Sequence, residues 1–378
     1  MNAPPLRCPD CGATYADRWR CECGHPLEYE SRPLPDAPAP DPAAFDVRDG
    51  LWAFSEFLPE SPLITLGEGM TPLVDADEWG AQFKLEYVFP TGSFKDRGAT
   101  TTVSRAAALG VDTLVEDSSG NAGAAIATYA ARAGIDAEIY VPASVKDAKL
   151  RAIRRAGATP VRTEGPRQAT TDACIGAVER AARDADAGAS SDEPRVTRAG
   201  WYASHAWNPA FFAGTATFAY EAALQRDWEA PDAVVLPLGH GTLFLGAYRG
   251  FRALRDAGWT DEVPRLLGVQ AAGHAPIVEA LHGADAAAGD NDAADGIQIP
   301  DPVRRDQILD AIDDTDGDAV AVGGDAVETE LADLHVAGFY TEPTCAVAPA
   351  ALRVYREHGV LDDDEDVVVP LTGSGLKT

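Results

Sequence analysis

The feature that most constrains this chain is an alternation of short apolar runs with Ala-rich amphipathic runs. Thr113–Glu116, Ala137–Val141, Thr159–Arg162, Ala233–Leu238, Arg265–Gln270 and Val367–Leu371 each read as a buried strand. Ala122–Ala133, Lys146–Arg155, Gln168–Arg183 and Phe244–Ala257 read as the helices between them. Apolar strands separated by helices predict parallel sheets flanked by helices, an α/β chain. At 378 residues the chain exceeds one ordinary domain, so two lobes and an appendage are expected. Two acidic tracts, Asp184–Glu193 and Gly283–Gly296, read as solvated loops, and Leu361–Asp366 as a charged turn before the last strand.

One turn carries the sharpest chemical signal. Pro90-Thr91-Gly92-Ser93-Phe94-Lys95-Asp96-Arg97-Gly98 lies between a β-like run, Phe83–Phe89, and a helical run, Ala99–Leu109. It delivers Lys95 to a helix start, where unpaired N–H groups and the macrodipole give positive potential. That setting lowers an ammonium pKa and favours a nucleophilic amine. The chain has only five lysines (Lys84, Lys95, Lys146, Lys149 and Lys377), so this one stands out. A plain surface lysine is the competing reading.

Charge narrows the partners. Asp and Glu number 60 against 31 Lys and Arg, a net charge of −29. Such a surface repels nucleic acid and anionic membranes, and neither is expected as a partner. Acidic excess with few lysines suits a salt-rich cytoplasm, where screening tempers self-repulsion. No signal peptide and no apolar run near the roughly 20 residues of a membrane span are visible, so the expected location is cytoplasmic.

At the N-terminus, Cys8 and Cys11 form one close pair and Cys21 and Cys23 a second, each followed by a glycine. Four thiolates in two knuckles suit a structural, tetrahedral Zn²⁺. His25 could replace one ligand, and disulfides are the competing reading, disfavoured in a reducing compartment. Residues 1–30 therefore read as a zinc-ribbon-like knuckle. The Pro-rich stretch 31–50 reads as an extended linker, and 51–378 as the main domain, with a small lobe over about 100–205 inserted in a large one. Leu51–Leu58 reads as an apolar helix start. Gly67–Leu73 reads as a turn-rich loop opening the main domain.

Three turns follow apolar strands. Asp117-Ser118-Ser119-Gly120-Asn121-Ala122-Gly123 leads into a helix N-terminus, a natural carboxylate site, or else an ordinary cap. Gly239-His240-Gly241-Thr242-Leu243 also opens a helix and can cradle a phosphate, or else is a close-packing turn. It is neither a P-loop nor Gly-x-Gly-x-x-Gly. Leu371-Thr372-Gly373-Ser374-Gly375-Leu376 ends the last strand with hydroxyls and glycines. Cys174 and Cys345 read as buried core residues.

Together these stretches resemble the threonine synthase family, pyridoxal phosphate enzymes of the tryptophan-synthase β-subunit type, fold type II. Pro90–Gly98 is similar to its cofactor-lysine motif and Gly67–Leu73 to its Gly-Glu-Gly-x-Thr-Pro-Leu opening. Ser119–Asn121 resembles its asparagine loop, and Asn208-Pro209 with Gly214, Thr217 and Glu221 a helix motif. Leu371–Lys377 resembles its terminal Thr-Gly-x-Gly-Leu-Lys. Archaeal members also begin with a cysteine knuckle. The likeness runs over nearly the whole chain in the right order.

The resemblance implies roles. Lys95 would bind pyridoxal phosphate covalently and move protons. Asn121 would meet the ring 3′ oxygen, Gly239, His240, Gly241, Thr242 and Leu243 the cofactor phosphate, and Thr372 the pyridine nitrogen. A neutral hydroxyl there makes the ring a weaker electron sink, which favours elimination and replacement over transamination. Ser118, Ser119, Gly120 and Ala122 would hold the substrate carboxylate. A substrate phosphate needs a cationic or hydroxyl-rich pocket, and Ser93, Arg97 and Ser119 are the nearest candidates by their place in the sequence.

The implied reaction turns O-phosphohomoserine and water into threonine and phosphate, with the cofactor between lobes. Phe89, the Gly-His-Gly-Thr phosphate loop and Ala122-Gly123 depart from the family pattern and weigh on the substrate. Two alternatives stay open: a lyase or synthase using serine, threonine or phosphoserine, and a catalytically silent binding protein. The expected partner is a small amino-acid substrate. A homodimer is the assembly carried.

Overall fold

The apolar runs pair into sheets in a computed structural model that describes residues 4–145, 147–165, 167–188 and 200–377. The chain divides into two units. Met1–Pro33, Phe54–Glu68 and Lys95–Gly214 form the first, and Leu34–Ala53, Gly69–Phe94 and Thr215–Thr378 the second.

In the first unit, four parallel strands lie in the order Thr159–Thr163, Asp136–Pro142, Thr113–Glu116, Trp201–Tyr202. Parallel pairing needs crossovers, and the Ala-rich runs supply them as helices. The helices Lys95–Leu109 and Asn121–Ala133 share a core with the sheet through Val103, Ile126, Ile139 and Phe211. Val115 and Tyr202 instead pack with Cys174 and Val178, carried by the helix Arg167–Gly188. A separate antiparallel sheet of Leu6–Arg7, Thr14–Tyr15 and Glu28–Tyr29 frames the cysteine knuckle.

In the second unit, six strands lie in the order Asp318–Val322, Arg265–Ala271, Ala233–Pro237, Val367–Pro370, Ala81–Lys84, Leu73–Ala76. All neighbours are parallel except the last pair, which makes an antiparallel edge. The strands Ala233–Pro237, Val367–Pro370 and Ala81–Lys84 are adjacent and point the same way. The segments that follow them therefore emerge side by side, where ligands of α/β sheets are bound.

Several expectations change. The run Phe83–Phe89 leaves the sheet after Lys84 and becomes a 3-10 turn, Glu86–Val88. Lys84, Glu86 and Glu221 are fully buried, so their charges are met inside the unit and not by water. Lys84 pairs with Glu221 at 2.9 Å, and the Thr71 hydroxyl donates to Glu86 at 2.7 Å. The apolar Leu51–Leu58 lies mostly in a longer 3-10 run, Val47–Phe57.

The tract Asp184–Glu193 begins inside a helix that continues to Gly188, and its remainder lies outside the described residues. The Gly283–Gly296 tract holds the short helix Ala284–Ala287 and most of a 3-10 turn, Asp295–Ile297. Lys146, the expected first residue of one helix, lies outside the described residues, and that helix runs Asp147–Arg155. No helix among the described residues is long and apolar enough to cross a membrane.

Candidate active site

Lys95 is the first residue of its helix, as the Pro-Thr-Gly turn predicts. Gly92 makes that turn possible: its φ of +76° lies in the left-handed region, and a Cβ there would approach the Lys377 side chain to 3.1 Å. Lys95 is half-buried, with its Nζ 6.0 Å from the centre of the Phe211 ring. Arg97 is fully enclosed. Gly98 and Gly214 explain how the helices close here. A Cβ on Gly98 would lie 2.1 Å from Phe211, and one on Gly214 would lie 2.0 Å from the Arg97 carbonyl.

Within the same unit, Ser118–Ala122 joins the strand Thr113–Glu116 to the helix Asn121–Ala133. The Ser118 hydroxyl accepts from the Gly120 amide at 3.3 Å. Gly123 must be glycine, because a Cβ would lie 1.8 Å from the Ser118 carbonyl oxygen. The turn is thus folded tightly onto the first turn of its helix, whose amides favour an anion. Glu68, of the opening heptapeptide, is buried and accepts from Tyr129 on that helix at 3.0 Å and from the Leu66 amide at 2.7 Å.

Glu116 and Asp117, directly before the serines, are the residues that sequence reasoning passed over. Asp117 accepts from the Tyr202 hydroxyl at 2.9 Å and from Thr171 at 2.7 Å. Glu116 is fully buried, with one oxygen 2.7 Å from His205 Nδ1 and the other without a protein partner. Burial pushes its carboxyl well above the ordinary carboxylate range; the Asp117 charge adds to this and the Lys95 ammonium opposes it. The available signal was an acidic residue ending an otherwise apolar strand, a place where a solvated residue is the ordinary reading.

The second unit brings its own predicted residues together. Gly239–Leu243 follows one strand, Thr372 follows the next and Ser93 lies beyond the third. Ser93 bridges to Gly373, and the Thr372 carbonyl accepts from the Phe94 amide at 3.1 Å. Ser93 Oγ is buried and meets no protein partner, so the fold leaves it for something else to satisfy. The Thr372 amide donates to Cys345 Sγ at 3.0 Å, and burial pushes that thiol up to about 12. Cys345 is a core residue, as is Cys174.

In the phosphate-type turn, Gly241 has φ +74°, and a Cβ would meet Ile308 at 2.6 Å. Its carbonyl accepts from the Leu245 amide at 2.8 Å, which starts the helix Thr242–Asp256. The Thr242 carbonyl accepts from Thr215 at 2.8 Å, and His240 is half-buried. This turn is a backbone cradle, walled by isoleucines.

Each unit carries groups of a kind that pyridoxal phosphate uses: the first an amine at a helix start, Lys95, and the amide of Asn121, the second the hydroxyl of Thr372 and a glycine-built helix N-terminus.

The knuckle gathers the sulfurs of Cys8, Cys11, Cys21 and Cys23 within 4.8 Å of one another. Cys8 and Cys23 sulfurs lie 3.6 Å apart, and those of Cys11 and Cys21 3.4 Å. A tetrahedral zinc with sulfurs at about 2.3 Å would set edges of about 3.8 Å, close to these values. The Tyr15 hydroxyl beside Cys21, 3.3 Å from its sulfur, lowers that thiol to about 6, while the Cys23 thiol is raised to about 12. His25 Nδ1 stands 3.4 Å from Cys23 Sγ, outside the four-sulfur set.

Comparison with known proteins bears on the whole chain. The threonine synthase of Methanocaldococcus jannaschii is 33% identical, over 98% of this chain and 92% of that protein. That of Mycobacterium tuberculosis is 30% identical, over 83% of each chain. Among solved structures, maize serine racemase superposes with a TM-score of 0.64 at 18% identity, covering 81% of this chain and 88% of that one. Threonine deaminase isoform 2 from Solanum lycopersicum gives 0.62 at 21% identity, covering 81% and 79%. These two share the fold, that of the fold type II enzymes. Residues 64–373 match the family described as pyridoxal-phosphate dependent enzyme. The match takes in the lysine turn, the asparagine loop and the glycine cradle alike, and this chain belongs to that family of pyridoxal-phosphate-dependent enzymes.

Proposed function

We propose that the protein is a threonine synthase, converting O-phosphohomoserine and water to threonine and phosphate. The observation that carries this reading is one-third identity to a threonine synthase along nearly the full length of both chains. Bound pyridoxal phosphate would take up the electron pairs left on the substrate's α and β carbons when their protons are removed. Lys95 Nζ would hold the cofactor and move those protons. Asn121 would bind the ring oxygen, Gly239–Leu243 the cofactor phosphate and Thr372 the ring nitrogen. Ser118, Ser119, Gly120 and Ala122 would take the substrate carboxylate, and Ser93, whose buried hydroxyl meets no protein partner, is assigned to the substrate as well. Arg97, enclosed as it is, contributes its charge to the surroundings of the substrate phosphate.

Steady-state turnover in high salt, with O-phosphohomoserine beside serine, threonine and phosphoserine, tests this. Threonine and phosphate should appear in equal amounts from the first substrate. A keto acid formed from serine or threonine, with no threonine from O-phosphohomoserine, would replace this reading with a dehydratase. The knuckle binds one structural zinc through Cys8, Cys11, Cys21 and Cys23. A Cys8→Ser/Cys21→Ser variant that keeps its zinc in metal analysis rejects that assignment. The acidic surface is an adaptation to a salty cytoplasm. The assembly is a homodimer, and a monomer mass by light scattering contradicts it.

A further inference from the structure

The knuckle does not stand apart from the residues assigned to chemistry. Arg105 lies on the Lys95 helix and is fully buried. Its guanidinium donates to Asp17 at 3.0 and 3.1 Å, to Glu60 at 3.2 Å, and to the carbonyls of Pro4 and Ala16 at 3.1 and 3.4 Å. The Tyr29 ring lies 5.4 Å from it. One cation on the lysine helix thus gathers several backbone segments of the N-terminal region.

A second line of contacts starts from the same loop. The other oxygen of Asp17 accepts from Trp201 Nε1 at 2.7 Å. Trp19 sets its ring edge-on against Tyr202, with centres 5.5 Å apart, and against Trp207 at 5.1 Å. Tyr202 in turn donates its hydroxyl to Asp117 at 2.9 Å, while Thr171 occupies the second oxygen of Asp117 at 2.7 Å. Asp117 is bonded directly to Ser118.

An aspartate beside a turn that binds a carboxylate is a liability, since a free negative charge there repels the substrate. Two hydroxyl donors fix this one in place and soften its charge. We propose that the cysteine knuckle is a positioning clamp: through Trp19 and Tyr202 it fixes Asp117, and with it the turn Ser118–Ala122. The inference rests on the reading of that turn as the substrate-carboxylate site. Trp19, Tyr202 and Asp117 act here as positioning residues.

The test uses the full-length holoenzyme with Trp19→Leu, Trp19→Phe and Tyr202→Phe. Amide hydrogen exchange over residues 117–124 is measured beside KM and kcat for O-phosphohomoserine. Trp19→Leu and Tyr202→Phe should each speed exchange in that segment about tenfold and raise KM about tenfold. These values correspond to one hydrogen bond to a charged group, and kcat should stay within about threefold. Trp19→Phe keeps an aromatic edge and should recover most of the wild-type KM. Should Trp19→Leu fail to fold, Tyr202→Phe carries the test, because it removes one oxygen and leaves the ring packing in place. Exchange over 117–124 that is unchanged in Tyr202→Phe overturns the clamp. Faster exchange with an unchanged KM upholds the clamp and overturns the carboxylate reading of the turn.

Discussion

The two strand-to-helix turns, Ser118–Ala122 in the first unit and Gly239–Leu243 in the second, solve the same problem by different means. Both follow a parallel strand and open a helix. The second is held by space: Gly241 is left-handed and faces Ile308, and Gly239 packs within 3.2 Å of Ile297 if given a Cβ. The first adds side-chain ties to one close approach, that of Gly123 to the Ser118 carbonyl oxygen. Asp117 is tied by Tyr202 and Thr171, the Ser118 hydroxyl accepts from the Gly120 amide, and a Cβ on Gly120 would come no nearer than 3.7 Å to any atom. A steric cradle suits an invariant ligand such as a cofactor phosphate. A turn positioned by hydrogen bonds can be adjusted through its partners, which suits a substrate that must enter and leave.

That contrast is broken most directly with alanine. Gly241→Ala should destabilise the protein by about 2–4 kcal/mol, combining left-handed strain with a clash, and should release pyridoxal phosphate on dialysis. Gly120→Ala should cost under about 1 kcal/mol. Chemical denaturation and cofactor absorbance read both. Equal effects of the two substitutions would show that the turns are not built differently.

A smaller effect comes from Glu116. Its folded carboxyl lies above the ordinary value of 4.5, so an unfolded chain gives up this proton first as pH rises. The stabilising contribution is whole below that value and is lost as pH climbs towards the folded one, at most about 1.4 kcal/mol per pH unit. Glu116→Gln should flatten the fall of stability above about pH 5, measured by denaturant unfolding at a series of pH values. A variant whose pH profile matches wild type contradicts the assignment.

Salt should act on both turns alike and most weakly. With net charge −29, raising salt from about 0.1 M, where the Debye length is about 10 Å, to molar concentrations should raise Tm. A Tm indifferent to salt removes the halophilic reading.

How much of this was legible follows from what each signal depends on. Strand and helix alternation needs only local apolar patterning, and so the two sheets were visible. The Lys95 helix start was visible because Pro90, Thr91 and Gly92 dictate their own turn. The antiparallel edge at Leu73–Ala76, the strand Asp318–Val322 and the helix Gly324–Val336 were not singled out. Acidic residues and short length hide them, and tertiary contacts decide them. Glu116 and Asp117 escaped for another reason. Their partners Tyr202 and His205 are 85 and 89 residues away along the chain, and no local pattern announces such a pairing. The same holds for Arg105 and Asp17, 88 residues apart.

The central claim is that Lys95, at the start of its helix, is the residue that carries pyridoxal phosphate. Borohydride reduction of the holoenzyme followed by peptide mapping tests it directly. The account predicts one pyridoxyl group per chain, on the peptide containing Lys95, and none in Lys95→Ala. A reduced cofactor on Lys84, Lys149 or another lysine in the wild-type protein, or one retained covalently in Lys95→Ala, would contradict it.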